Sequence, residues 1–328
     1  MKNRFLGLVI LPVLVSCSAG QDKINTQIKI IDNIESHIII PTHQLLCERV
    51  IDLQGAIQRI EIGNDISLLQ ARDAWVETRE LWEQAEGYAI GESKIVRIRQ
   101  RMDESTYPLS QQQPDRINKG EFQQIEYILW GSDGMRMAAD LTETDLASLM
   151  TISDSMVVQT NQLLAFAKET AWTKTKLKAK NEEQRSQICQ QRMKDYVGGM
   201  IGVTQQILET KITEPDAPIS AVQIEEPYSD NTKSDILNNI IAIENLYTGR
   251  LDLHKGAGIA AVVDRQDKVL DETLRKSIED SKKAINALPE SYSMALSNDR
   301  DAVLVAKVKL QTLQELLKDR LLPLVSQI

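Results

Sequence analysis

Residues 120–131, GEFQQIEYILWG, hold the first side chains whose types and spacing could do chemistry. Gln123 and Glu126 stand three residues apart in a largely apolar run that ends on Trp130 and Gly131. On a helix this spacing puts an amide and a carboxylate side by side, with Tyr127 and Trp130 on the same face. Phe122, Ile125 and Leu129 take the adjoining face, so the two faces wrap most of the helix and the pair is expected inside the protein. A carboxylate taken out of water must be paired, hydrogen-bonded or bound to a metal. Arg72, Arg79, Arg250 and the hydroxyls of Tyr88, Tyr107 and Tyr228 are the candidate partners of Glu126, and the sequence does not choose among them. Periodicity alone favours a structural hydrogen bond over a ligand site.

Other chemistries find few residues to work with. The chain has three histidines, His37, His43 and His254, and none falls in a known metal-ligand spacing with a carboxylate. A histidine-rich zinc or di-iron site is therefore not available. There is no Gly-x-Ser-x-Gly elbow, and no histidine stands near Cys47 or Cys189 in a papain-like context. GAGIAAVV at 256–263 contains Gly-x-Gly without a preceding strand, which is no dinucleotide loop.

The elements that must position these residues read as helices throughout. Ala71, Trp75, Thr78, Trp82, Ala85 and Ala89 recur at steps of four and three, as do Ile236, Ile240, Ile243 and Tyr247 before Gly249. Val303, Ala306, Leu310, Leu313, Leu317, Leu321 and Leu324 form a long stripe behind the capping cluster Ser297-Asn298-Asp299. No alternating run reads as a strand. The chain is expected to be all-α, two packed helical-bundle domains, with helices near 22–47, 48–61, 67–87, 117–131, 143–178, 182–212, 232–249, 258–288 and 299–327. Residues 91–116 and the proline-bearing 213–231 read as long irregular connections. The expected division is a leader at 1–17, an N-terminal bundle at 18–178 and a C-terminal four-helix-type bundle at 179–328, with 213–231 as a rival boundary.

The leader has a basic start at Lys2 and Arg4, an apolar run from Phe5 to Val15, and a Leu14-Val15-Ser16-Cys17 end. This is the pattern of a secretory signal, and a cysteine in that place resembles the bacterial lipobox. Lipidation of Cys17 would tether the protein to the cell envelope, in the periplasm or on the outer membrane, without a spanning segment. Removing the leader takes away two bases and no acid, moving the formal charge from −9 to −11. That balance argues against nucleic acid as a partner. Cys47 and Cys189 then remain; a bridge between them is left open.

GEFQQIEYILWG resembles the signature of the imelysin family, Gly-x-His-x-x-Glu, usually with Phe before the histidine and Tyr-Leu-Leu-Trp-Gly after the glutamate. Phe122, Glu126, Tyr127, Leu129, Trp130 and Gly131 match, Ile128 is a mild substitution, and Gly120 lies one position upstream of its place. AWVETRELWEQAEGYAIG resembles the family's Trp-rich helix at Trp75, Arg79, Trp82, Glu86 and Gly91, and MDESTYPL its Asp-containing turn at Asp103, Tyr107, Pro108 and Leu109. EEPYSDNTKSDILNNIIAIENLYTGR and GAGIAAVV resemble stretches of the imelysin-like lipoprotein branch. The similarity spans most of the chain and implies two helical bundles with the signature buried where they meet. Two departures stand out: Gln123 replaces the signature histidine, and Asp230 stands where the branch often has a histidine between Ser229 and Asn231. An amide oxygen is a fair ligand for Ca²⁺ in company and a poor one for Fe or Zn. Weak divalent-cation binding is the most this site is expected to show, with no resident cofactor or metal.

The resemblance implies a non-catalytic, lipid-anchored envelope protein in iron or other nutrient acquisition, working through an interdomain polar pocket with an envelope transport partner. Gln123, Glu126, Trp130, Glu86, Tyr107, Ser229, Asn231 and Arg250 are the pocket residues it suggests. Each also has an ordinary reading: Glu86 and Arg250 as solvated charges at helix ends, Ser229 as a cap, Tyr107 as packing. One alternative is a metallopeptidase of the insulin-cleaving type, for which three ligands cannot be assembled here. The other is a structural lipoprotein that recruits a partner through its long loops.

Overall fold

The apolar steps of three and four residues do build helices almost everywhere in the computed structural model, which describes residues 14–88, 93–103, 107–108, 120–175, 179–212 and 223–327. Helix α1, Leu14–Ile34, runs through a π-turn at Glu35–Ile39 into α2, Ile40–Gln58. The break expected at 47/48 is absent, because Leu46, Cys47 and Val50 continue one buried stripe. The irregularity sits upstream of Pro41 instead. Proline cannot donate to the carbonyl four residues back, which frees the preceding turn to widen. The same pairing recurs where a π-turn at Leu316–Leu321 precedes Pro323.

Helix α3, Asp65–Glu86, starts on an Asn64 side chain that accepts from the Ile66 N–H. The stretch read as an irregular crossover contains α4, Ser93–Met102, whose Ile95, Ile98 and Met102 are buried at helical spacing among exposed charges. The signature helix α5, Glu121–Trp130, ends at Gly131 with φ +76°. Helix α6, Glu143–Thr170, opens on a Thr142–Asp145 capping box, and a one-turn α7, Trp172–Thr175, follows. Helix α8, Glu182–Gln206, closes in a π-turn at Ile207–Lys211. Helix α9 is Thr232–Thr248. The single helix expected over 258–288 is two, α10 Ala260–Gln266 and α11 Lys268–Asn286, because the Asp267 side chain caps the second by accepting from Leu270 N–H. Helices α12, Tyr292–Asn298, α13, Arg300–Glu315, and α14, Leu322–Ser326, complete the chain. Strands amount to two-residue pairs: β1 Tyr107–Pro108 antiparallel to β2 Gln223–Ile224, and β3 Arg250–Leu251 antiparallel to β4 His254–Lys255.

Two apolar clusters organise the molecule. One joins α2 through α6 around Trp75, Trp82 and Phe122; the other joins Ile30–Ile39 with α8 through α14 around Tyr247, Tyr292 and the Val303–Leu321 stripe. Helices α3 and α9 pack together across the seam between them. The GAGIAAVV stretch serves packing. A Cβ on Gly249 would fall 2.3 Å from Gly258 N, and one on Gly256 would fall 1.8 Å from Asn33 Oδ1. Cys47 and Cys189 are separate buried thiols. His37 and His254, far apart in sequence, stack in parallel with centroids 4.3 Å apart. Among the described residues no helix is long and apolar enough to cross a membrane. Residues 1–13 and the side chain of Cys17 lie outside the described residues.

Candidate functional site

The seam is where the acids collect. Helix α3 is buried around its whole circumference at mid-length, so Arg79 and Glu83 project from the same helix as Trp75 and Trp82 into a space with no water-facing side. Helix α5 adds Gln123 and Glu126, and the end of α4 adds Asp103. The β1–β2 pairing draws the second half of the chain over this space and sets Glu225 and Glu226 immediately behind Ile224. The π-turn after α8 delivers Lys211, and the first two turns of α9 deliver Asp235 and Asn239.

Arg79 is the hub. Its guanidinium lies 2.7 Å from Asp103 Oδ2, 2.7 Å from Glu83 Oε1, 3.0 Å from Glu226 Oε1, 3.3 Å from Glu225 Oε1 and 3.6 Å from Asp235 Oδ2. Lys211 Nζ reaches Glu83 Oε2 at 2.5 Å and Glu225 Oε2 at 2.8 Å. Asn239 Nδ2 donates to the same Glu83 Oε2 at 2.7 Å, and the Trp82 indole donates to Asp103 Oδ2 at 2.8 Å. Six carboxylates thus share two cations, and the side chains of both cations are fully buried.

Gln123 and Glu126 sit at one edge of this chamber, and each is 0% exposed. Gln123 Nε2 donates to Asp103 Oδ1 at 2.6 Å and to Glu226 Oε1 at 3.1 Å. The amide therefore turns its nitrogen, the end that cannot ligate a cation, toward the acids. Glu126 Oε1 accepts from Tyr228 N at 3.0 Å, Ser229 N at 2.7 Å and Ser229 Oγ at 2.7 Å. None of the six partners considered from sequence donates that bond through a side chain; Tyr228 contributes its backbone N–H. The other oxygen, Glu126 Oε2, and Gln123 Oε1 are buried without a hydrogen-bond donor.

Burial dominates the acid–base behaviour. It pushes the Glu126 carboxyl up to about 8 against the Ser229 and Tyr228 hydrogen bonds, and Glu225 up to about 7 against Lys211. Glu83 and Glu226 move upward for the same reason, opposed by Arg79 and, for Glu83, by Lys211. Asp103 goes the other way: burial acts to raise it, but Arg79, Lys211 and the Gln123 amide outweigh that and hold it below the usual carboxylate range. Burial works against the charge on Arg79 and Lys211, and the surrounding carboxylates overcome it, so both stay protonated.

The other suggested pocket residues are dispersed. Glu86 is not a solvated charge; it is 5% exposed and accepts from Arg99 Nη2 at 2.7 Å and from Gln206 Nε2. Ser229 holds Glu126 directly, and Asn231 donates to Asp235 Oδ1 at 2.7 Å from the N-cap position of α9. Trp130 is half-buried against Trp75 and under Arg72, outside the charge network. Arg250 is exposed past the far end of α9, roughly 22 Å along the helix from Asp235. The backbone of Tyr107 pairs with Ile224, while its side chain lies outside the described residues. Sequence reasoning missed Lys211, Glu83, Glu225, Glu226, Asp235 and Asn239. The available signals were charged residues beside the buried α3 stripe and the Glu225-Glu226 pair ahead of Pro227.

Two groups of acids have oxygens within 4.8 Å of one another, as a metal would require: Glu83, Glu225 and Asp235, and Glu83, Glu86 and Asp103. Neither fits an added ion as it stands. The first already holds the Lys211 ammonium, and in the second the acids are engaged by Lys211, Arg99, Gln206, Arg79 and Trp82.

The imelysin model of peptidase family M75 matches residues 39–320. Iron-regulated protein A of Synechococcus elongatus is 24% identical over 94% of this chain and 89% of its own length. A solved structure of a candidate iron-regulated protein A precursor from Parabacteroides distasonis superposes with a TM-score of 0.71 at 19% identity, covering 92% of this chain and 95% of the other. An imelysin-like protein from Psychrobacter arcticum gives 0.70 at 12% identity, covering 92% and 96%.

Proposed function

The chain belongs to the imelysin family, and from that premise we propose a non-catalytic, lipid-anchored envelope protein acting in iron-related physiology. The iron connection is supported by the relative named for iron regulation. The anchor is supported by the Leu14-Val15-Ser16-Cys17 sequence. One observation carries the non-catalytic part: the seam around Gln123 and Glu126 is filled by the chain's own cations. Metal-assisted hydrolysis needs an open coordination position, a water and a free base. Glu126 Oε1 is taken up by three donors, and the nearest acids are bound to Arg79 and Lys211. The signature helix in this reading is a docking key that joins the two halves and shapes the surface offered to an envelope partner.

Two measurements on the soluble form, residues 18–328, test this. Titration with Fe and Zn is expected to show no saturable micromolar site; one that appears and is abolished by Glu126→Ala overturns the reading. Incubation with insulin is expected to leave it intact, and cleavage that a chelator suppresses would make the chain a metallopeptidase.

A further inference from the structure

We propose that Lys211 is this chain's own replacement for a metal ion, and that Glu83, Glu225 and Asp235 form a divalent-cation site held closed by a tethered ammonium. The inference deepens the metal-free reading above and rests on it. All three acids are buried, with oxygens within 4.8 Å of one another. Lys211 Nζ sits against two of them, at 2.5 and 2.8 Å, distances close to those a hard cation keeps from carboxylate oxygens.

The ligand arms are braced from behind. Asn239 Nδ2 fixes Glu83 Oε2 at 2.7 Å, and Asn231 Nδ2 fixes Asp235 Oδ1 at 2.7 Å, the kind of outer support that orients metal ligands. Independent of the cluster itself, Asp235 Oδ2 is fully buried with no hydrogen-bond donor, and so is the neighbouring Glu226 Oε2. A single positive charge on Lys211 leaves these oxygens unsatisfied, whereas a divalent ion has charge and coordination to spare. Delivery of the lysine is a matter of one wide turn. The π-turn at Ile207–Lys211, closed by Ile212 N–H donating to Ile207 O at 2.9 Å, adds the residue that swings Lys211 inward at the end of α8. An all-oxygen, all-carboxylate donor set selects hard ions, and Mn²⁺ is the suitable probe.

Lys211→Met keeps the side-chain stem and removes the charge. Wild-type protein in Mn²⁺ should show only the free-ion spectrum by electron paramagnetic resonance, and its melting temperature should not move on adding a chelator. Lys211→Met should melt below wild type, take up one Mn²⁺ with loss of the free-ion signal, and recover melting temperature as the ion saturates. Adding Glu83→Gln should abolish that uptake. If Lys211→Met is insoluble by itself, refolding in Mn²⁺ should rescue it. A folded Lys211→Met that takes up no Mn²⁺, uptake indifferent to Glu83→Gln, or an insoluble variant that Mn²⁺ fails to rescue each overturns the inference. Wild-type uptake that survives Glu83→Gln defeats the metal-free reading and leaves the assignment of Lys211 standing.

Discussion

Two buried carboxylate centres, each beside a π-turn, are built on opposite principles. At the first residue of the π-turn after α1, Glu35 meets one guanidinium, with Arg192 Nη1 at 2.6 Å. The Tyr196 hydroxyl at 2.8 Å and the Trp172 backbone N–H complete its shell. Its single charge is matched, and Arg192 keeps a 22% exposed side chain that water can still reach. In the chamber between α3 and α9, six acids face two dry cations, and several oxygens have no donor at all. The matched centre has the character of a joint that closes a fold. The mismatched one stores unspent negative potential, which is what an ion, a proton or a built-in lysine can answer. Buried ion pairs break even only when geometry and hydrogen bonds satisfy every lone pair, and the Glu35 centre alone meets that condition.

Breaking the hub is expected to have the largest effect. Arg79→Met strands five acids at once and should cost on the order of 3–5 kcal/mol of unfolding free energy in urea denaturation. Proton uptake sharpens the contrast next. Burial raises the folded-state values of Glu126 to about 8 and Glu225 to about 7, above the usual 4.5, so the folded chain holds protons that the unfolded chain has released. That stability is complete below about pH 4.5 and is lost as pH rises through 7 and 8, with a slope of about 1.4 kcal/mol per pH unit for each proton involved. Melting temperatures should accordingly decline from pH 5 to pH 8, and Glu126→Gln should flatten the decline. Asp103 has the opposite sign, but its window lies below its ordinary 3.8. Glu35→Gln keeps part of its hydrogen-bond shell and releases an Arg192 that can rehydrate, so about 1–2 kcal/mol is expected by the same denaturation assay. Arg250→Ala, past the far end of α9, should leave the unfolding curve where it was.

The sequence made the helical architecture legible because nearly every buried face repeats at three and four residues. It could not place π-turns, since these depend on how a helix resolves a proline or a tertiary pull. The α4 helix was hidden because Arg97, Arg99 and Arg101 mask a three-residue apolar edge of Ile95, Ile98 and Met102. The site was half legible. Gln123 and Glu126 announce themselves as polar residues on an apolar helix, but Lys211, Glu225 and Asp235 sit in segments whose local pattern is ordinary. Only the two-residue pairing of β1 with β2 and the packing of α9 on α3 bring them together, and no local rule anticipates a contact across more than a hundred residues.

The acids and bases of the seam are drawn from residue 79 at one end to residue 239 at the other. Until the last of them arrives, the earlier ones hold charges that must stay hydrated, so the half-made protein cannot close. A chain cut or stalled ahead of α9 stays open along this seam and offers itself to proteases, while a completed one locks shut in a single late step. The same arrangement that balances charge in the finished molecule thereby serves as a check that the molecule is finished.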